Sequence, residues 1–225
     1  MTASLRWTRL GAAVIALGLA AACSQGNAGT MSGETTMHHD MGTPASSQAA
    51  SLRAALDELL SEHVILAADA TGAALARRDT DFKAAAAALD QNSIAISKAV
   101  GSVYGADAEA KFLPLWRSHI GLVVDYTVAT AGNDPAKAKA AVDKLLAYSG
   151  DLAGFFAGAN PNLSKDGVAE MVKTHIVTLK AVIDAQSKKD YVAEYDAQHK
   201  AYMHMGMMAV ALADGIAKQF PQKFS

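Results

Sequence analysis

A histidine that returns at a fixed interval is the feature that most constrains the fold of this 225-residue chain. His63, His119 and His175 are each 56 residues apart, and a β-branched residue follows every one of them. The similarity between the first two copies continues as far as Thr71 and Thr127. A fixed period of this size indicates an array of one supersecondary unit. The chain is therefore predicted to contain three copies of that unit.

Each unit is predicted to be an antiparallel pair of helices. Apolar residues recur at helical spacing through the C-terminal three quarters of the chain, and no strand-like alternation is present. Gly132–Pro135 is a strong turn, Pro114 is expected to kink or restart its helix, and Pro221 ends the last one. The fold class is therefore all-α, with three repeated hairpins forming a helical bundle. The six helices are expected at about 50–77, 80–103, 107–131, 135–157, 165–187 and 189–218.

The N-terminus is typical of an exported lipoprotein. Arg6 and Arg9 precede an apolar run that is too short to anchor the chain in a bilayer. Small residues then lead to Cys23, the only cysteine. We therefore predict a signal peptide over residues 1–22 and lipid attachment at Cys23, which would anchor the protein to a membrane in the periplasm or at the cell surface. The alternative is an ordinary signal peptide with an incidental cysteine.

Two further regions differ in composition. Residues 23–50 are rich in small and polar residues and are predicted to form a disordered tether, whereas residues 51–220 form the helical repeat domain. The formal net charge is −2, and Lys and Arg form no stripe. Nucleic-acid binding is therefore not expected, because phosphate neutralisation needs concentrated positive charge.

The last helix carries a cluster of soft metal ligands. On a helix, His199, Met203 and Met207 fall on one ridge, and His204 and Met208 on the next. Thioether and imidazole ligands together suit Cu(I). With His175, these residues are the predicted metal site, and copper is the predicted metal. The competing interpretation is that the methionines only fill a core gap.

A second group of the same residue types lies in the predicted tether. Met37, His38, His39 and Met41 have no core to fill there, and short tracts of this kind are typical of metal capture. They are weaker candidate ligands, with incidental composition as the alternative.

The hairpin geometry gives each repeated histidine a partner at its own level. Asn92, Tyr148 and His204 are also 56 residues apart, and each lies about as far from its turn as the histidine of its hairpin. For His63 and His119 we favour buried hydrogen bonds to Asn92 and Tyr148, and therefore a structural role that fixes hairpin register. A joint three-histidine site requires the first, third and fifth helices to surround one axis, whereas an open row of hairpins would separate the histidines. His63 and His119 are thus weaker candidate ligands.

Three segments resemble one protein family. Glu62-His63, Phe112–Gly121 and Ala159–Asn162 are similar to those of exported bacterial all-helical proteins, lipoproteins among them, some of which carry copper-amine-oxidase-like labels. The resemblance covers most of residues 51–220 and implies an exported helical fold. It carries over no catalytic residue, and the chain has no motif for the tyrosine-derived cofactor of an amine oxidase.

The sequence therefore favours a non-catalytic, lipid-anchored copper-binding protein, acting in copper tolerance or delivery. The alternative is a helical scaffold with core histidines and no metal. A metal-dependent bundle enzyme is disfavoured, because a di-iron carboxylate site needs Glu-x-x-His pairs, which this chain lacks.

Overall fold

A computed structural model of the chain describes residues 44–224, with side chains from residue 48 onward. This part of the chain folds into six long helices and one short one, with no strand among the described residues. The prediction of an all-α bundle is confirmed. The helices are α1 (Pro44–Leu75), α2 (Asp79–Tyr104), α3 (Ala106–Ala131), α4 (Pro135–Ala159), α5 (Lys165–Lys188), α6 (Tyr191–Gln219) and α7 (Pro221–Phe224).

Three features of the helices differ from the prediction. α1 begins at Pro44, inside the stretch predicted to be tether. α3 passes through Pro114 without a break, although the proline removes one backbone hydrogen bond. Phe112 and Trp116, on either side of it, are both buried, and their packing holds the helix together there. α7, after Pro221, was not predicted.

The predicted signal peptide, the lipidation site Cys23 and the cluster Met37, His38, His39 and Met41 lie outside the described residues. Within the described range, no helix has both the length and the apolar character that a membrane crossing requires.

The turns inside the three hairpins repeat with the same period as the histidines. Arg77, Asn133 and Lys189 adopt left-handed backbone conformations, with φ of 57°, 52° and 57°. After each, the next backbone N–H donates to a carbonyl five residues earlier, on Ala73, Ala129 and Ala185. This pattern is the Schellman motif, which ends a helix by satisfying its last carbonyls. α2, α4 and α6 then begin 56 residues apart, so each hairpin presents equivalent positions at equivalent heights.

The six long helices close into a ring. α1 packs along both α2 and α6. The other neighbouring pairs follow the chain order: α2 with α3, α3 with α4, α4 with α5 and α5 with α6. An ion pair of 2.6 Å between Arg53 and Asp214 also joins α1 to α6. α1, α3 and α5 touch one another across the centre. The hairpins therefore form a closed bundle rather than an open row, and the first helix of each hairpin faces the common axis.

Candidate metal centre

The three repeated histidines meet at the centre of the bundle. His63, His119 and His175 come from α1, α3 and α5, and their side chains are 1%, 3% and 5% exposed. One ring nitrogen from each lies within 4.8 Å of the other two. The repeat places the three residues at one height. Closure of the ring turns the histidine-bearing faces of α1, α3 and α5 toward one common axis. The geometric condition for a joint site, three helices around one axis at one height, is therefore met.

The spacing of two of these nitrogens matches that of ligands on one ion. The Nε2 atoms of His63 and His119 are 3.4 Å apart. Two imidazoles on a tetrahedral ion, each with a bond of about 2.0 Å, have nitrogens about 3.3 Å apart. His175 offers a nitrogen within 4.8 Å of both, so it is the third candidate ligand.

Most of the ring nitrogens lack a partner of good hydrogen-bond geometry, although Asn92 and the Trp116 backbone lie near His63 and His119. Four of their six ring nitrogens make no hydrogen bond: Nδ1 of His63, Nδ1 of His119 and both nitrogens of His175. The remaining two face each other at 3.4 Å, beyond the usual range of an N–H donor. A buried polar atom without a partner costs about 1–3 kcal/mol. A metal ion between the rings would give a partner to one nitrogen of His175 and to the two Nε2 atoms that face each other.

The surroundings keep the cluster neutral. Burial lowers the pKa of His119 to about 4. Burial, helped by the nearby His119 and His204, lowers the pKa of His175 to about 3. Burial together with His119 and His175 holds the pKa of His63 well below its ordinary value. At neutral pH all three imidazoles are therefore uncharged, and the neutral imidazole is the form that binds metals.

Aromatic rings enclose the cluster on two sides. The ring of Trp116 lies 4.9 Å from His63 and 4.7 Å from His119, and the ring of Tyr148 lies 5.0 Å from His119. Phe112 stacks on the far side of Trp116 at 5.4 Å. The Trp116 indole N–H and the Tyr148 hydroxyl are buried and have no hydrogen-bond partner. Sequence reasoning did not assign Trp116 to the site, although its position one turn before His119 on the same helix face is a usable signal.

The residues predicted to lie level with the histidines do so, but the Tyr148 hydroxyl makes no hydrogen bond and Asn92 interacts with His63 only loosely. Tyr148 contacts the ring of His119, but its hydroxyl has no partner. Asn92 lies beside His63 and acts to raise its pKa, but burial outweighs this effect, and neither Asn92 Oδ1 nor His63 Nδ1 has a partner with hydrogen-bond geometry. The Asn92 amide group donates instead to the carbonyl of Leu59 at 2.9 Å and to Glu62 Oε2 at 2.8 Å.

The predicted α6 ligands are divided between two faces of the helix. His199, Met203 and Met207 are exposed, whereas His204 and Met208 are buried. His204 Nε2 lies 2.8 Å from the carbonyl oxygen of Met171, to which it donates. The two predicted ridges therefore exist, but they face opposite surroundings, and only the buried one faces the bundle interior.

A small cavity borders the histidine cluster between α3, α4 and α5. Its volume is about 10 Å³, measured as the space open to the centre of a water-sized sphere. That is about the space that one water molecule needs. His119 and His175 form part of its wall, and apolar side chains such as Val123, Leu145 and Leu179 form most of the rest. The cluster is thus closed to large molecules and borders room for a very small one.

Comparison with known proteins gives no further assignment: no family model, no curated protein and no solved structure matches the chain. The resemblance to exported helical proteins with copper-amine-oxidase-like labels therefore stays a prediction.

Proposed function

We propose that this protein holds one late first-row transition-metal ion, with copper favoured, on His63, His119 and His175. The observation that carries the proposal is the meeting of three buried, neutral imidazoles whose nitrogens lie within 4.8 Å of one another and are mostly without other partners. Such a cluster is costly for the fold unless something binds it. A metal ion would give one nitrogen of each imidazole a partner.

The ligand type and the buried charge support copper as Cu(I). Imidazole suits Zn, Cu, Fe and Ni, so nitrogen ligands alone leave several metals open. The buried polar residues of the described chain include no carboxylate. A divalent ion on three neutral ligands would therefore place two uncompensated positive charges in the core, whereas Cu(I) would place one. Cu(I) also accepts three-coordinate geometry without a further charged ligand.

We propose that the protein holds or delivers its metal rather than acting on organic substrates. The cavity beside the cluster, at about 10 Å³, is far too small for such a substrate. The export signal and Cys23 support a location outside the cytoplasm on a lipid anchor. These features together favour a role in copper tolerance or copper delivery in the cell envelope.

Metal analysis with X-ray absorption spectroscopy tests the proposal. The full chain is loaded with Cu(I), freed of excess metal and compared with a variant in which His63, His119 and His175 are all replaced by leucine. We expect about one tightly held copper per chain with nitrogen ligands at about 2.0 Å, absent from the triple variant. Sulfur ligands at about 2.3 Å would move the site to methionines and reject the three-histidine centre.

A matched control removes histidines that are not among the three proposed ligands. His38→Ala, His39→Ala and His199→Ala together remove three imidazoles from the sequence and keep His63, His119 and His175. This variant should keep the tightly held copper. If it loses the copper, the tight site lies on the replaced histidines instead of the cluster. If wild type holds no copper and the triple variant is only less stable, the clustered histidines are structural and the chain is a scaffold.

A further inference from the structure

We propose that the groove between α1 and α6 is a second metal site, which binds one Cu(I) ion through the thioethers of Met203 and Met207 and the carboxylate of Asp57. These three side chains are exposed, whereas the three-histidine cluster is buried. The groove site needs no metal on the histidines and is therefore independent of the proposed function. Its exposure suits an ion that binds weakly and exchanges at the protein surface.

The first support is the exposure of the two methionines. Met203 and Met207 are 52% and 60% exposed, although methionine side chains are most often buried. Filling a gap in the core therefore does not explain them. They are four residues apart on α6, which makes them neighbours on its surface, and both line the same groove. Two ligands at this spacing on one helix can bind a single metal ion.

The second support is a carboxylate that lies beside these thioethers. Asp57, on α1, lines the groove from the opposite side. Its Oδ1 lies 3.1 Å from the point where a side chain of Gly206 would begin. Gly206 comes three residues after Met203 and directly before Met207. The carboxylate therefore contacts α6 at a height between those of the two methionines.

The third support is the glycine itself. Gly206 lies in the interior of α6, where glycine is less favourable than alanine. Its lack of a side chain lets the Asp57 carboxylate approach the helix, because an alanine methyl group would press on Oδ1 at 3.1 Å. The groove has a volume of about 820 Å³, so it also has room for an ion and its water molecules.

The charges in the groove favour a cation. The charged residues that line it are Arg53, Asp57 and Asp214. Arg53 pairs with Asp214 at 2.6 Å, which leaves the negative charge of Asp57 without a counter-charge in the groove. One carboxylate offsets the single charge of Cu(I), and thioethers are ligands that this soft ion prefers. A hard ion such as Ca²⁺ prefers about six to eight oxygen ligands, so two thioethers match it poorly.

Nuclear magnetic resonance of the full chain with ¹³C-labelled methionine methyl groups tests the inference. Ag(I) is the probe, because it has the charge and the ligand preference of Cu(I) without its redox chemistry. We expect the methyl signals of Met203 and Met207 to shift together, with one common Kd, as Ag(I) is added. The signals of the buried Met205 and Met208 should stay in place. Fixed signals of Met203 and Met207, or two different Kd values, would overturn the joint site, whatever metal the histidines hold.

Replacing one methionine tests whether the two act together. Met203→Leu should weaken the response of Met207 to Ag(I) by roughly tenfold or more, because even groups that only orient a ligand affect affinity by that much. Tyr202→Phe is the matched control, since Tyr202 lines the groove without a thioether. It should leave the Kd unchanged. An unaltered response of Met207 in the Met203→Leu variant would reject the shared ion.

Asp57→Asn tests the carboxylate. It should weaken Ag(I) binding in the groove by roughly fivefold, because it removes the charge opposite the ion. Glu58→Gln is the matched control, since Glu58 is exposed on the same helix and is not among the described residues that line the groove. Equal Kd values in these two variants would remove Asp57 from the site.

Gly206→Ala tests the approach of the carboxylate to α6. The added methyl group should displace Asp57 and weaken Ag(I) binding by a factor similar to that of Asp57→Asn. The fold should not lose stability, because alanine favours a helix more than glycine does. In an Asp57→Asn background the same substitution should have no further effect on the Kd. An equal loss of affinity in both backgrounds would show that Gly206 acts independently of the carboxylate and would overturn this arrangement of the site.

Discussion

The Nε2 atoms of His63 and His119 lie 3.4 Å apart, although 56 residues separate them in the chain. The same interval separates the left-handed turn residues Arg77 and Asn133. One period of the sequence therefore corresponds to one step around the closed ring, and a residue repeated on the inner helices meets its own copies at the axis. Repetition of a single histidine is thus enough to build a cluster of three imidazoles.

Acid should destabilise the metal-free protein through the buried histidines. An imidazole in the unfolded chain has a pKa of about 6.5. Burial holds the pKa of His119 at about 4 and that of His175 at about 3 in the fold. Below pH 6.5 the unfolded state therefore binds more protons, so stability is complete above that pH and falls as the pH drops towards the folded values. The expected loss is about 1 kcal/mol per pH unit for each histidine.

Urea unfolding from about pH 7.5 to about pH 4.5, with a chelator present, measures this loss. The variant with leucine at positions 63, 119 and 175 should show a much weaker pH dependence over that range. His199→Ala, which alters an exposed histidine, should behave as wild type. An equally steep dependence in the triple-leucine variant would assign the acid sensitivity to other groups.

Replacing His175 by leucine should have opposite effects on the metal-free and metal-loaded protein. Both ring nitrogens of His175 lack partners, and leucine has a similar volume without polar atoms. The free energy of unfolding of the metal-free variant should therefore rise by about 1–3 kcal/mol. In wild type, metal at a hundred times its Kd adds about 2.7 kcal/mol, and the variant should lose most of this gain. Urea unfolding with and without metal measures both the free energy of unfolding of the metal-free protein and the stability gained on metal binding.

His204→Leu is the matched control for His175→Leu. His204 is also buried, but its Nε2 donates to the carbonyl of Met171. Its replacement should therefore destabilise the metal-free protein by about 1 kcal/mol while leaving the metal-induced gain intact. Destabilisation of similar size in both variants would support a purely structural role for His175.

Asn92 is expected to position His63 for metal binding. Its amide group is fixed by the carbonyl of Leu59 and by Glu62, and its side chain lies beside the imidazole of His63. Groups that orient metal ligands typically affect affinity by about 10–100-fold. Asn92→Ala should weaken metal binding by roughly that factor in a competition titration. Glu62→Gln, which keeps an acceptor for Asn92 at the surface, should change the affinity little, and equal affinities in the two variants would contradict the positioning role.

The fold could be predicted from the sequence because its signals are local and repeated. Helical spacing of apolar residues, the Gly132–Pro135 turn and the period of 56 residues fix six helices in three hairpins. Asp134 and Ser164 cap α4 and α5 as their side-chain chemistry predicts. The cluster of three histidines could not be predicted in this way, because it depends on ring closure, which brings α6 back onto α1. No local pattern distinguishes a closed ring from an open row of the same hairpins.

The orientation of the predicted α6 ligands could not be read from the sequence for a related reason. Spacing on α6 correctly placed His199, Met203 and Met207 on one ridge, but spacing alone does not tell which ridge faces the core. Met203 and Met207 are 52% and 60% exposed, whereas Met208 is 4% exposed. Tertiary packing decides which face of α6 is buried. The histidine period, rather than the methionine cluster, indicated the residues that meet at the bundle axis.

Removal of the exposed α6 ligands should leave the core site intact. His199→Ala, Met203→Leu and Met207→Leu alter only exposed positions, so the free energy of unfolding should change by less than about 0.5 kcal/mol per substitution. His204 and Met208 are left in place because both are buried and their loss would disturb the core. In a Cu(I) titration against a chromogenic chelator, this variant should retain the one tightly held copper and lose only weaker binding. Loss of the tight site here, with its retention in the triple-leucine variant, would place copper on the surface of α6 instead of at the bundle axis.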